Sequence, residues 1–418
     1  MLRGSADFPA TFKGHVHALV AEIAGPSFTQ SDDTEYLTHF MHLVATLIEC
    51  AGSAVCAEEE STLFAILVQL RAARANPIVQ EQAGVQIEYL ATNVLGRATV
   101  DELYERHFAD LLRAASADVN SWHKHSSNLF VLDSLLRSTS RAIVATQLGD
   151  LLVPVLAAGA STSRAVEVQS VVLEVLHFLL DGTTDAAARE RPPMDDNVRA
   201  AFAAHGAHIL AKILLPQMVW RVGKPATALR ETAAKVVLQL LAGGLLAPAD
   251  VAVQTNEVGT GLAHVLPVFA SCLEDDFVDT RLHMCHVYAR YLPLARDALW
   301  DDSVNMKPTH EVYAALLKRL DDSADAVRIA VCAAIDVYLA DVPPNWSSTH
   351  FEEILNTLLV HLDDANGAVQ NAVATILPRL AAMDAHAAYF RSSVSAVQGK
   401  MVNFGSNANA ADIWALAK

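Results

Sequence analysis

Three histidine pairs sit at spacings that could bring two imidazoles to one metal ion: His123 with His125, His205 with His208, and His283 with His286. A zinc site needs three or four converging ligands, usually with Cys, Asp or Glu completing the set. Cys285 falls between His283 and His286, but on a helix it points away from both. No metal and no cofactor are therefore expected. Gly243-Gly244 and Gly259-Thr260-Gly261 lack the Lys-Ser/Thr or the strand context of a phosphate loop. Serines and histidines are plentiful, yet none are spaced as a nucleophile with its base. The expectation is a protein without catalytic residues.

Acidic pairs are the other residues that could do chemistry. They occur in LEDDFVDTR at 273–281, LDDSADAVR at 320–328 and LDDANGAVQ at 362–370. Neighbouring carboxylates can work as acid and base, but three copies in one register point to architecture instead. In each, a Leu closes an apolar helix, acids follow, and a helix restarts at Val/Thr-Arg/Gln. Asp275, Asp321, Asp322, Asp363 and Asp364 would then cap exposed N–H groups and meet the positive end of the next helix. Arg281 and Arg328, one turn inside, would reach such aspartates in their own repeat or a neighbouring one. Gln370 replaces the arginine in the last copy, so this turn ladder is expected to weaken there.

The elements that carry these turns are helices from end to end. Pairs are predicted at 12–24 with 33–51, 60–75 with 78–95, 100–115 with 122–138 (Ser121 as N-cap), and 141–158 with 163–180. They resume at 198–219 with 226–242, 257–274 with 277–292, 308–320 with 324–340, and 349–362 with 367–382, before a closing helix at 384–401. Val168, Val171, Val172, Val175, Leu176 and Leu179 show the three-four spacing of one buried face. Leu273, Leu320 and Leu362 follow one another at 47 and 42 residues, the period of HEAT or armadillo helix pairs. The fold class read from this is all-α, a right-handed α-solenoid of HEAT/armadillo-like pairs. Its predicted organisation is N-terminal helical repeats at 1–181, a surface loop at 182–197, C-terminal HEAT repeats continuous with the first block at 198–402, and a frayed tail at 403–418.

A net charge of −17 repels phosphate backbones, which argues against nucleic acid as a partner. Five cysteines without CxxC spacing read as free thiols of a reducing compartment. Neither the N-terminus nor the uncharged run at 151–163 has the apolar length of a signal or a span. No membrane association and a cytoplasmic location are expected. α-Solenoid metalloenzymes use several His-Glu dipeptides; here there is one, His310-Glu311. Cations gather locally around 199–235. Trp220, Arg221 and Lys224 on one exposed turn could grip an acidic client segment. The alternative is that Trp220 packs between repeats and Arg230 joins the aspartate ladder.

One segment is more particular: ILLPQMVWRVGKPATALRETAAKVVL at 213–238, with Leu215-Pro216, Trp220, Gly223-Lys224, Leu229-Arg230 and Thr232-Ala233-Ala234. It resembles a repeat of the HEAT-repeat axonemal dynein assembly factor family, also called HEAT repeat-containing protein two. Leu316 to Asp322 with Val327-Arg328, and Leu358 to Asp364 with Gln370, are similar to that family's closing repeats. The resemblance covers about 210 to 382. It implies a non-enzymatic cytoplasmic factor that preassembles outer and inner dynein arms for motile cilia or flagella. Its partners would be chaperones and dynein intermediate or heavy chains. Family members carry many more N-terminal repeats, which implies a shortened member or one lacking its front half. A general HEAT adaptor for phosphatase, transport or complex assembly is the second reading.

Overall fold

A computed structural model describes residues 10–31, 33–74, 76–181, 194–300, 307–343 and 346–418. All regular elements among them are helical. The chain divides into two compact units, residues 1–179 with 192–202 and residues 180–191 with 203–418. The expected loop at 182–197 lies, up to residue 193, outside the described residues.

In the first unit the helix Ala10–Ile23 rests on Thr34–Glu58, and Glu60–Arg71 packs on Pro77–Tyr89. Caps explain where two of these helices begin. Asp33 Oδ1 accepts the Glu35 and Tyr36 N–H groups at 2.9 and 3.0 Å. Asn76 accepts from Val79 N–H, ahead of Pro77 at the first helical position, where a missing N–H costs nothing. Thr34–Glu58 is interrupted at Gly52, whose φ of +75° favours glycine.

Two helices, Thr34–Glu58 and the stretch Asp196–Met218, are long and apolar enough to cross a bilayer by length and composition alone. The first buries the stripe Leu37, Phe40, Met41, Val44 and Ile48, at helical spacing, inside its own unit.

Local chemistry moved several boundaries. The helix predicted from 122 starts at Ser127, because Trp122 is folded into the core with its indole N–H on Asp118 at 2.9 Å. The predicted helices 141–158 and 198–219 widen into π turns at Leu148–Leu152 and Ile209–Leu214. Pro154 and Pro216 follow those turns and cannot donate to the carbonyl four residues back.

In the second unit four helix pairs form two layers. The first helices, Leu215–Met218, Leu262–Leu273, Lys307–Leu317 and Ser348–Leu362, stack successively and end on Ala387–Gln398. The second helices are Lys224–Ala242, Val278–Leu294, Asp325–Ala340 and Gly367–Ala374, continued by Leu377–Ala381. They stack in the same order. Buried alanines such as Ala233, Ala234, Ala330 and Ala334 let the second helices approach closely, while Tyr288, Tyr291 and Tyr338 fill the wider gaps.

The tail expected to fray from Asn403 is packed instead. Short helices at Phe404–Ser406 and Ala410–Ala415 bury Phe404 and Ile413, and Phe404 meets Trp414 edge to face at 5.6 Å. The polar run Asn403 to Asn409 looks like loose coil in sequence. Its backbone and amides are taken up by the fourth repeat's turn.

Candidate functional site

The turns inside the four pairs of the second unit lie side by side, and one ion-pair pattern joins them. Arg230 Nε donates to Asp275 Oδ2 at 2.6 Å, and its Nη1 donates to the Arg221 carbonyl at 3.0 Å. Arg281 grips Asp322 with two bonds, at 2.7 and 2.8 Å, and donates to the carbonyls of Asp275 and Asp276. Arg328 reaches Asp364 at 3.4 Å. Gln370 ends the series, donating to the Asp364 carbonyl and accepting from Asn407.

Each aspartate completes its own turn as well. Asp275, Asp322 and Asp364 accept the N–H groups of Phe277, Ala324 and Asn366 at 3.0, 3.0 and 2.7 Å. In the first two rungs an arginine ties one turn's carbonyl to the next turn's aspartate, whereas Arg328 bonds Asp325 of its own turn at 2.6 Å and only reaches across to Asp364. The first two rungs are buried, with side chains at most 9% exposed, whereas Arg328 is 21% exposed.

The two aspartates of each LDD turn do different work, which corrects the expectation that both join the ladder. Asp321 is 80% exposed and faces His361 Nε2 at 3.5 Å, with no arginine on it among the described residues. Asp363 accepts the N–H groups of Val402, Asn403 and Phe404 instead. Alternation of direction in the turn is the reason. The second acid follows the helix-closing Leu by two residues and points back over the stack; the first points outward.

Electrostatics follow this division. Burial alone would raise the Asp322 carboxyl; hydrogen bonds from Arg281 and the Ala324 N–H, and the nearby Arg319, outweigh it and hold it below the usual carboxylate range. Asp363 is lowered likewise, its burial overcome by the three backbone donors. Burial pushes the His361 imidazole down and lifts the Cys272, Cys285 and Cys332 thiols to about 12, which leaves them inert.

Of the three residues singled out for partner binding, Trp220 is 58% exposed and Lys224 is exposed. Arg221 turns inward, its Nη2 donating to Gln217 Oε1 at 2.9 Å. Gly223 holds φ at +114°, a conformation that suits only glycine, and thereby lifts Val222 to 83% exposure just before the Lys224 helix. Arg230 joins the ladder, and by bonding both Arg221 and Asp275 it sets this turn beside the exposed Phe277 and Val278. Val219, Trp220, Val222, Phe277 and Val278 thus form an apolar rim across two adjacent turns, with Lys224 at its edge. Sequence inspection missed Phe277 and Val278, although both follow LEDD where a turn must expose something.

Among the described residues no three His, Cys, Asp or Glu side chains converge as a metal site. His123 and His125 contact each other through rings 6.3 Å apart, and burial lowers His286. The side chain of His310 lies outside those described.

Stacked helix pairs bolted through their turns define an all-α solenoid, the class to which the HEAT repeat belongs. No protein-family profile matches the chain. It is similar to dynein axonemal assembly factor 5 of Mus musculus, Homo sapiens and Xenopus laevis, at 26%, 24% and 23% identity over 371 residues. That alignment takes in 87% of this chain, well beyond residues 210–382, and 40–41% of each relative. The chain therefore spans about two fifths of the length of the curated relatives it matches. An engineered protein overlaps it with a TM-score of 0.46 at 14% identity, covering 96% of this chain and 87% of that one. Kap121p bound to Ste12p gives 0.40 at 14% (99% and 42% covered), and importin beta 0.39 at 12% (99% and 54%).

Proposed function

We propose that this chain is a non-enzymatic scaffold in the cytoplasmic preassembly of axonemal dynein arms, outer and inner. The observation that carries the reading is its similarity to dynein axonemal assembly factors over most of its length. The clients in this reading are dynein intermediate or heavy chains, handled together with chaperones. Presentation, not reaction, is the mechanism: a rigid row of turns holds Trp220, Val222 and Phe277 in water, where an apolar client segment can cover them. Exposed Trp beside a cation is a composition that interface hot spots favour.

Affinity purification of the tagged protein from ciliating cells, read by mass spectrometry, tests this. Dynein chains and chaperones are the expected co-purifying proteins. Trp220→Ala with Lys224→Ala is expected to cut dynein recovery by about tenfold while leaving thermal melting unchanged, since both side chains are exposed. Full recovery with the double variant would remove this rim from the proposal. A preparation containing phosphatase or transport factors in place of dynein would favour the general adaptor.

A further inference from the structure

We propose that a basic cleft in the first unit binds an acidic segment of a partner protein, with the Arg71 guanidinium receiving its carboxylates. The cleft is a cavity of about 460 Å³ between the end of the Glu60–Arg71 helix, the start of Pro77–Tyr89 and the face of Ser127–Ser138. Arg71, Arg74 and Arg137 line it, opposed by Asp133 and Glu81. Asp133 is already engaged, accepting from Arg74 at 3.2 Å and from Arg137 at 2.6 Å. Arg74 is also held over the Phe130 ring at 4.2 Å.

Arg71 differs. It is half-buried, and its guanidinium makes no hydrogen bond or ion pair among the described residues. Such a group carries five donors in a planar fork matched to a carboxylate. The Arg71 guanidinium lies against Gly84 on the facing helix, where a Cβ would stand 3.1 Å from Nη1. On a chain of net charge −17, a cavity whose three arginines outnumber its two carboxylates is a local departure from the acidic average. The same net charge disfavours a long polyanion, and the volume suits one or two side chains. Phe130 and Pro77 add an apolar wall for a residue next to the carboxylate. The site belongs to the first unit and the turn rim to the second, and the proposal does not rest on the dynein reading.

The test is fluorescence anisotropy of the full chain with a labelled Gly-Glu-Glu-Leu-Glu-Glu-Gly peptide, against the same peptide carrying Gln for Glu. Saturable binding of the Glu peptide alone is expected. Arg71→Met should weaken it about tenfold, while Arg113→Met, whose partner is the exposed Asp110, leaves it unchanged. Arg71→Gln, which keeps a polar side chain without the charge or the planar fork, should weaken binding likewise. That variant decides the matter if Arg71→Met folds poorly. Absence of saturable binding, equal binding of the Gln peptide, or unaltered binding by folded Arg71→Met or Arg71→Gln would overturn the proposal. Inorganic phosphate competing as well as the peptide would overturn the protein segment as occupant.

Discussion

Leu320→Asp is expected to unfold the second unit, with helical circular dichroism reduced and the corresponding melting transition lost. Leu320 is fully buried at the point where the third repeat's first helix closes. Truncating a core leucine costs about 2–5 kcal/mol, and an unpaired carboxylate in the same place costs several more. Domains of this size hold about 5–15 kcal/mol in total, so little remains. Because each repeat packs only on its neighbours, the damage should spread from 320 outward, and limited proteolysis should cut first in the third and fourth repeats. Unchanged melting and an unchanged spectrum would refute stacking at this residue.

Arg281→Ala is the second large effect, expected to destabilise by about 3 kcal/mol in chemical denaturation. It strips the two Arg281 hydrogen bonds from an Asp322 side chain that is 2% exposed. Removing one partner of a buried pair costs about 3–5 kcal/mol, because the remaining charge stays desolvated. Arg319, 3.2 Å from Oδ2, survives and keeps the effect at the low end.

Arg281→Met combined with Asp322→Leu should recover most of the loss. The shortfall would be about 1 kcal/mol for the orphaned Ala324 N–H, added to the cost of leaving Arg319 without its carboxylate and the Asp275 and Asp276 carbonyls without their donor. The pH dependence follows from the lowered Asp322 carboxyl. A folded-state pKa below the unfolded one stabilises above the ordinary carboxylate range and fades as acid protonates the folded group. The gap between wild type and Arg281→Ala should therefore be full at pH 7 and shrink below about pH 4. A gap independent of pH would show that Arg281 acts through packing alone.

Much of this was legible in the sequence, for reasons that particular residues make plain. Leu273, Leu320 and Leu362 gave the repeat because a helix-closing leucine and its following acids must recur wherever pairs stack. The partner of each arginine was left open between its own repeat and the next. Only the fold reveals that Arg281 crosses to Asp322, 41 residues on. Nor could adjacent aspartates be told apart, since Asp321 and Asp322 differ in direction rather than type.

Trp220 stayed open in the sequence between an exposed turn and a packed position, because a large aromatic in an apolar repeat is usually covered. Gly223 was the signal that its turn stands out, through a conformation other residues avoid. The Arg71 cleft left no trace in spacing. Its walls come from three helices, and an arginine ending a helix is ordinary until its lack of a partner is seen.

Removal of this protein from a cell that builds motile cilia or flagella, followed by thin-section electron microscopy of the axonemes, is the most direct test of the function proposed. The expected result is intact doublet microtubules with outer and inner dynein arms missing or sparse, and paralysed or weakly beating cilia. Full complements of both arms on every doublet, with normal beating, would contradict it.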